Sequence, residues 1–206
     1  MADRLVIFGS GGHAKVVVEA ALARSPNREI ILLDDEASNH GRQVLDFSVS
    51  GGRDTLARLQ GAPVALGVGD NRARWHLIEW LRAEGAQLET VVHPAATVGR
   101  TVELGAGAFV AAGAILIADA LIGAGAIINT AASVDHDCSI GEAAHIAPGV
   151  HLCGNVTVGA RTLIGVGSSA RPGATIAADV TIGAGAVVVG DIETAGTYVG
   201  NPARPL

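Results

Sequence analysis

The chain has 206 residues, a formal net charge of -6 and a 49% hydrophobic composition, with 28 glycines but only 3% aromatic residues. Its acidic balance, with no cluster of Lys and Arg, excludes a nucleic-acid-binding surface, which needs cationic patches against phosphates. So few aromatic side chains point to a core of small and aliphatic residues, as in stacked short strands rather than an ordinary globule.

Arg4 to Phe8 reads as a buried strand, because its apolar run is too brief for a signal-peptide core. The longest uncharged apolar stretch, Leu104 to Ala118, falls short of the roughly 20 residues of a spanning helix. Cys138 and Cys153 show neither zinc nor disulfide-scaffold spacing and read as small buried hydrophobes in a reducing compartment, so a cytoplasmic location is expected.

After the first strand come Gly9-Ser10-Gly11-Gly12-His13-Ala14, a helical run from Lys15 to Arg24 and a second strand from Ile30 to Leu33. A third strand at Pro63 to Val68, a polar helix at Arg72 to Glu84 and a strand at Leu88 to Val92 complete a Rossmann-like β-α-β domain over residues 1–92. Gly9-x-Gly11-x-x-Ala14, with Asp34 20 residues further on, fits a dinucleotide fingerprint. Three readings stand: NAD, a nucleotide diphosphate held by backbone amides at the helix N-terminus, or a purely structural tight turn. The domain offers one half of the sheet that cradles a full dinucleotide, which favours a sugar nucleotide. His13 either bonds a phosphate or sugar oxygen or is an exposed loop residue.

From residue 93 to 206 a six-residue period takes over. Val98, Leu104, Val110, Leu116, Ile122, Ile128, Val134, Ile140, Ile146, Leu152, Val158, Ile164, Ala170, Ile176, Ile182 and Val188 are all Val, Ile or Leu except Ala170. Four residues after each comes a small or β-branched residue, such as Ala108, Ala114, Ala120, Ala126 or Cys138. Such a period fits a parallel β-helix with three hexads per triangular coil, and about five coils forming a prism roughly 25 Å tall. The first domain is expected to cap one end of it, since an open end would leave unpaired strand edges.

The most polar break in the repeat holds Asn129-Thr130, Asp135-His136-Asp137-Cys138 and His145. A neutral imidazole has the basicity to accept the proton of an attacking amine or hydroxyl. His136 is the first candidate, with Asp135 or Asp137 to orient its ring. His145 lies half a coil further on, so the two histidines should sit on opposed sides of one prism and be reunited only in a cleft between subunits. His93 and His151 read as structural. No two of these four histidines are separated by a multiple of 18, which argues against zinc.

The repeat pattern resembles that of the hexapeptide-repeat acyltransferases, a resemblance that implies a left-handed β-helix and usually a trimer. Gly9-Ser10-Gly11-Gly12-His13, Leu33-Asp34-Asp35, Val68-Gly69-Asp70-Asn71, Asn129-Thr130, Val134-Asp135-His136-Asp137-Cys138, His145 and the ending Val199-Gly200-Asn201-Pro202-Ala203-Arg204 are together similar to the PglD, NeuD and perosamine N-acetyltransferase family. That resemblance implies His136 as catalytic base, Asp137 as its acidic neighbour and His145 as a contact of acetyl-CoA. It places a sugar nucleotide on Gly11, His13, Asp34, Asp35 and Asn71, with Asn129 near the sugar. CoA would run past Gly154 and Val166, with Arg161 or Arg171 at its phosphates. The implied reaction is acetyl-CoA-dependent N-acetylation of a nucleotide-linked 4-amino-4,6-dideoxy sugar, without metal and without an acyl-enzyme. An O-acetyltransferase of sialic acid or a related sugar and a non-catalytic sugar-nucleotide-binding scaffold are the rivals.

Overall fold

In the computed structural model, which describes residues 3–59 and 61–206, the six-residue period becomes a three-sided parallel β-solenoid of about six turns. One face stacks Thr97–Val98, Ile115–Leu116, Ser133–Val134, His151–Leu152, Ser169–Ala170 and Val187–Val188. The second stacks Glu103–Leu104, Leu121–Ile122, Ser139–Ile140, Thr157–Val158 and Thr175–Ile176. The third begins earlier, at Val91–Val92, and runs through Phe109–Val110, Ile127–Ile128, His145–Ile146, Leu163–Ile164 and Val180–Ile182 to Gly196–Val199. That early start and late strand raise the turn count above the five expected from residue 98 onward.

Each solenoid strand pairs with the residues one coil later, as in Leu116↔Val134 and Ile122↔Ile140. The large aliphatic of each hexad therefore stacks inward on its own kind, and Leu116, Val134, Leu152 and Val188 are all buried. Ala114, Ala120, Ala126, Ala132 and Cys138 fill the spaces between them. Coils approach so closely that a Cβ at Gly141 would sit 2.4 Å from the backbone nitrogen of Ala160. The corners require positive φ, and Asp119, Asp137 and Asn155 supply it with φ of 63°, 59° and 60°. Asp and Asn tolerate this left-handed conformation better than other side chains because their short polar groups can bond locally.

The N-terminal domain is built from β1 (Arg4–Phe8), α1 (Gly12–Arg24), β2 (Glu29–Leu33), the short hairpin β3 (Gln43–Val44) and β4 (Phe47–Ser48), α2 (Arg53–Arg58), β5 (Val64–Leu66) and α3 (Asn71–Ala83). Its parallel sheet runs β2-β1-β5. The strand expected at Leu88 to Val92 divides: Leu88 bridges to Val64, whereas Val91–Val92 pairs with Phe109–Val110 in the solenoid.

This domain lies along the solenoid and not over its end. The reason is a column of outward side chains on the third face, Val91, Phe109 and Ile127, which are apolar and join one buried cluster with Ala14, Val17, Val18 and Ala21 of α1. Fully burying a large aliphatic side chain stabilises by about 1.5–3 kcal/mol, and this gain along the column holds the domain against the face. Beside it, the corner between the second and third faces stacks Gly107, Gly125 and Ala143, and α3 docks there. A Cβ at Gly125 would meet Ile78 Cδ1 at 2.2 Å, so the helix seats only on residues this small.

Arg74 of α3 locks the two parts together. It is wholly buried, and its guanidinium donates to the carbonyls of Gly125 (2.8 Å), Ala143 (2.8 Å) and Ala144 (3.3 Å) across the interface. On its own side it donates to Val68 O, Gly69 O and Asn71 Oδ1. The tail continues the third face and closes with Arg204–Pro205 antiparallel to Val199 and Tyr198. Cys138 is buried as expected, but Cys153 is exposed, because it points outward from a corner.

Arg74→Met keeps much of the bulk and strips the Gly125 and Ala143 carbonyls of their donor, each unpaired buried group costing about 1–3 kcal/mol. The expected outcome in a thermal melt is a midpoint lowered by about 6 °C or more.

Candidate active site

His136 occupies the corner between the first and second faces, directly before Asp137 in its left-handed turn. The turn brings the two side chains together, and His136 Nδ1–H donates to Asp137 Oδ2 at 2.7 Å. The backbone N–H of His136 donates to Asp135 Oδ1 at 2.8 Å. Both side chains of the pair are 58% exposed. The hydrogen bond to Asp137 raises the imidazole pKa above its ordinary value, with the charges of Asp135 and Asp137 adding to it. With Nδ1 protonated by this bond, Nε2 carries the lone pair and can take a proton.

Gly154, one coil above, lies against the His136 ring: a Cβ there would sit 2.5 Å from both Cε1 and Nε2. Its missing side chain is the space the imidazole fills.

His145 stands on the third face, next outward after the apolar column, where α1 and α3 both begin. It lines a cavity of about 340 Å³ with Gly69, Asp70, Asn71, Arg72 and Arg161. Asn129 Nδ2 lies 3.0 Å from His145 Nε2. Since Ile127 pairs with His145 in register, Asn129 is diagonal to it on the same face. Burial, with the Arg74 charge adding to it, lowers the His145 pKa to about 4. His13 packs edge-on against Phe109 at 5.1 Å between ring centroids, with a sealed, unpartnered Nε2. Burial, then Arg74 and His145, lower its pKa to about 3. Both rings are therefore neutral at physiological pH. His13 is no exposed loop residue.

At the start of α1, Gly11 is the N-cap and offers no side chain to the first-turn amides. A Cβ at Gly11 or Gly12 would meet nothing within 4 Å, so no packing inside the chain demands glycine there. Asp34 has both carboxylate oxygens engaged, accepting from Ser10 Oγ at 2.6 Å, from the Glu36 N–H at 2.9 Å and from Asn39 Nδ2 at 3.1 Å. Burial alone would raise its pKa, but these bonds hold it below the ordinary value. Asp35 pairs with Arg53, whose guanidinium covers the Trp80 ring at 4.3 Å.

Asn71 bridges the two domains, donating to Arg161 O at 3.0 Å. The Arg161 guanidinium is held by Asp179, through Nε–Oδ1 at 3.0 Å and Nη2–Oδ2 at 2.6 Å, and lies over Trp75. Val166 is an exposed side chain of a solenoid corner. His151 bonds Ser133 Oγ at 2.8 Å and His93 accepts from the Ala95 N–H at 3.0 Å, so both have local structural partners.

The candidates thus fall into three groups. His136, Asp137 and Gly154 share one corner; His13, Asn71, Asn129, His145 and Arg161 meet at the domain junction; Gly11, Asp34 and Asp35 surround the carboxyl end of the N-terminal sheet. The first group lies on the corner opposite the third face, across the prism from His145. Sequence reasoning missed Arg74 and the His13–Phe109 contact. The signal for the docking surface was present, in the apolar outward column and in small residues recurring once per coil at one corner.

The PglD N-terminal domain family matches residues 4–81. The acetyltransferase domain of PglB from Neisseria gonorrhoeae FA1090, solved in complex with acetyl coenzyme A, is 41% identical with a TM-score of 0.94, covering 100% of both chains. A histidine-to-asparagine variant of perosamine N-acetyltransferase from Caulobacter crescentus, in complex with CoA and GDP-perosamine, is 41% identical with a TM-score of 0.92 over 98% of this chain and 96% of that one. UDP-N-acetylbacillosamine N-acetyltransferase of Bacillus subtilis (strain 168) is 35% identical over 108 residues, 52% of this chain and 50% of that protein, so the match spans about half the length of that curated relative.

A β-α-β domain docked on this solenoid is the architecture of the left-handed β-helix acetyltransferases. The chain belongs, within them, to the PglD and perosamine N-acetyltransferase family.

Two substitutions test the His136 corner. Because Asp137 is the main cause of the raised pKa, Asp137→Asn should lower it, moving the midpoint of the His136 Cε1–H NMR titration to lower pH. Gly154→Ala places a methyl group in the space of the ring, which swings into solvent at little structural cost. The expected result is a melting temperature within about 2 °C of the unaltered protein, corresponding to under 1 kcal/mol, and a His136 resonance near that of a free imidazole.

Proposed function

We propose that the chain is an acetyl-CoA-dependent N-acetyltransferase acting on the 4-amino group of a UDP- or GDP-linked 4-amino-4,6-dideoxy sugar, in surface glycan synthesis. The observation that carries this reading is the exposed His136–Asp137 pair, whose Nε2 is left free to take a proton. The acceptor chemistry is supported by the bacillosamine and perosamine substrates in the names of the relatives.

In the reaction the acceptor amine forms a C–N bond to the thioester carbonyl and the C–S bond breaks. His136 Nε2 takes the amine proton and returns it to the departing CoA thiolate, while Asp137 holds the ring and stabilises its protonated form. His145, neutral and a hydrogen-bond donor, steadies the oxygen of the tetrahedral intermediate. The open amides after Gly11 hold the nucleotide diphosphate at the start of α1, with His13, Asp35 and Asn71 toward the base and sugar. Asp34 serves this loop through its bond to Ser10. CoA runs past Gly154 and Val166, where backbone amides meet its pantetheine arm. Arg161 reaches the CoA phosphates only by leaving Asp179; Arg171, with 50% of its side chain exposed, is freer to do so.

The placement of the histidines supports a homotrimer, in which a neighbouring subunit brings a His136 corner to a His145 face. A cytoplasmic site of action fits nucleotide-linked substrates, and among the described residues no helix is long and apolar enough to cross a membrane.

The test is CoA release from acetyl-CoA with a panel of UDP-, GDP- and dTDP-linked 4-amino sugars and free sialic acid. Turnover with one amino sugar, lost about 10²-fold or more in His136→Ala with CoA binding intact, is the expected outcome. Transfer to sialic acid alone would replace the acceptor by a hydroxyl, and silence across the panel would favour a binding role.

A further inference from the structure

We infer that Asn129 is a positioning residue that fixes His145 in the Nδ1–H tautomer, so that His145 presents a neutral N–H to the thioester carbonyl oxygen. This rests on the acyl-transfer reading above and assigns Asn129 to the histidine instead of the sugar.

The chain itself settles which way the Asn129 amide faces. Its Oδ1 accepts from the Thr130 backbone N–H at 2.8 Å and from Thr130 Oγ1 at 3.3 Å. A backbone N–H can only donate, so the atom facing it is the oxygen and the atom facing His145 Nε2 at 3.0 Å is the NH₂. An NH₂ can also only donate, so Nε2 is the acceptor. In a neutral ring the proton is then on Nδ1, which makes no hydrogen bond within the described chain.

The surroundings keep the ring neutral. Arg74 approaches from α3 and His13 from α1, with Asp70, Arg161 and Asp179 on the cavity wall; burial and Arg74 are the causes resolved for His145, and both disfavour a second proton. A neutral imidazole beside a fixed guanidinium can donate to developing negative charge at any pH where His136 is an effective base. The two histidines thereby divide the labour: one gains a proton in the reaction and the other donates a hydrogen bond throughout.

Two measurements test this. The first is ¹⁵N NMR of the imidazole nitrogens in the full chain without ligands, at neutral pH. The expected spectrum has His145 Nδ1 protonated and Nε2 bare; the reverse assignment overturns the inference. The second is Asn129→Asp, whose carboxylate accepts from Nε2–H and so strips the proton from Nδ1. With the acceptor found in the panel, kcat should fall about 10²-fold, as for loss of one oxyanion donor, with KM for acetyl-CoA changed less than about threefold. Since a carboxylate also raises the pKa of the ring, the ratio of variant to unaltered kcat should climb as pH falls and Nδ1–H is regained. A ratio flat with pH, or full activity in the variant, overturns the positioning role. Unaltered protein that acetylates nothing overturns the acyl-transfer reading, and the NMR result stands apart from it.

Discussion

The close vertical stacking of one coil on the next is the constraint on which the molecule depends. With successive coils in backbone contact and a fixed register between them, every sixth residue must be a core aliphatic and every corner must take a left-handed turn. A side chain is thereby assigned to a column, whose neighbours are the residues one coil above and below. His136 over Gly154, Asn129 diagonal to His145, and the small residues under α3 are all consequences of columns. An insertion of one residue would move every later column to another side.

The N-terminal domain turns this regular scaffold into a site. The cover from α1 ends where the outward column becomes His145, while α3 reaches on to Arg161, so the same surface changes from buried interface to cavity wall. Arg74 joins the two by bonding carbonyls on both sides and no carboxylate. No carboxylate pairs with it directly, although the charge of Asp70 favours it, and it disfavours protonation of both His13 and His145. The same arginine therefore serves the fold and the electrostatics of the site.

The contrast between the two candidate histidines of the solenoid follows from their environments. His136 is exposed beside a carboxylate and its pKa is raised; His145 is half-buried near a guanidinium and its pKa is lowered. Opposite shifts in chemically identical groups suit one for proton transfer and the other for hydrogen-bond donation. Gly154 and Asn129, both first read as substrate contacts, act on these rings directly: one vacates the space for an imidazole and the other bonds to it.

The sequence by itself determined whatever the six-residue period controls: the three-sided solenoid, the inward aliphatic columns and the half-coil separation of His136 from His145. These follow from local, repeated constraints, so a residue's number gives its face. Only the tertiary structure decided where the N-terminal domain sits, that Arg74 bonds Ala143 from 69 residues away, that Asp137 and not Asp135 bonds the His136 ring, that His13 packs on Phe109, and that Cys153 faces outward. Such contacts join segments outside a common period. Their geometry is set by which apolar and small residues happen to need covering, and a one-dimensional repeat carries no register between a helix of one domain and a corner of another.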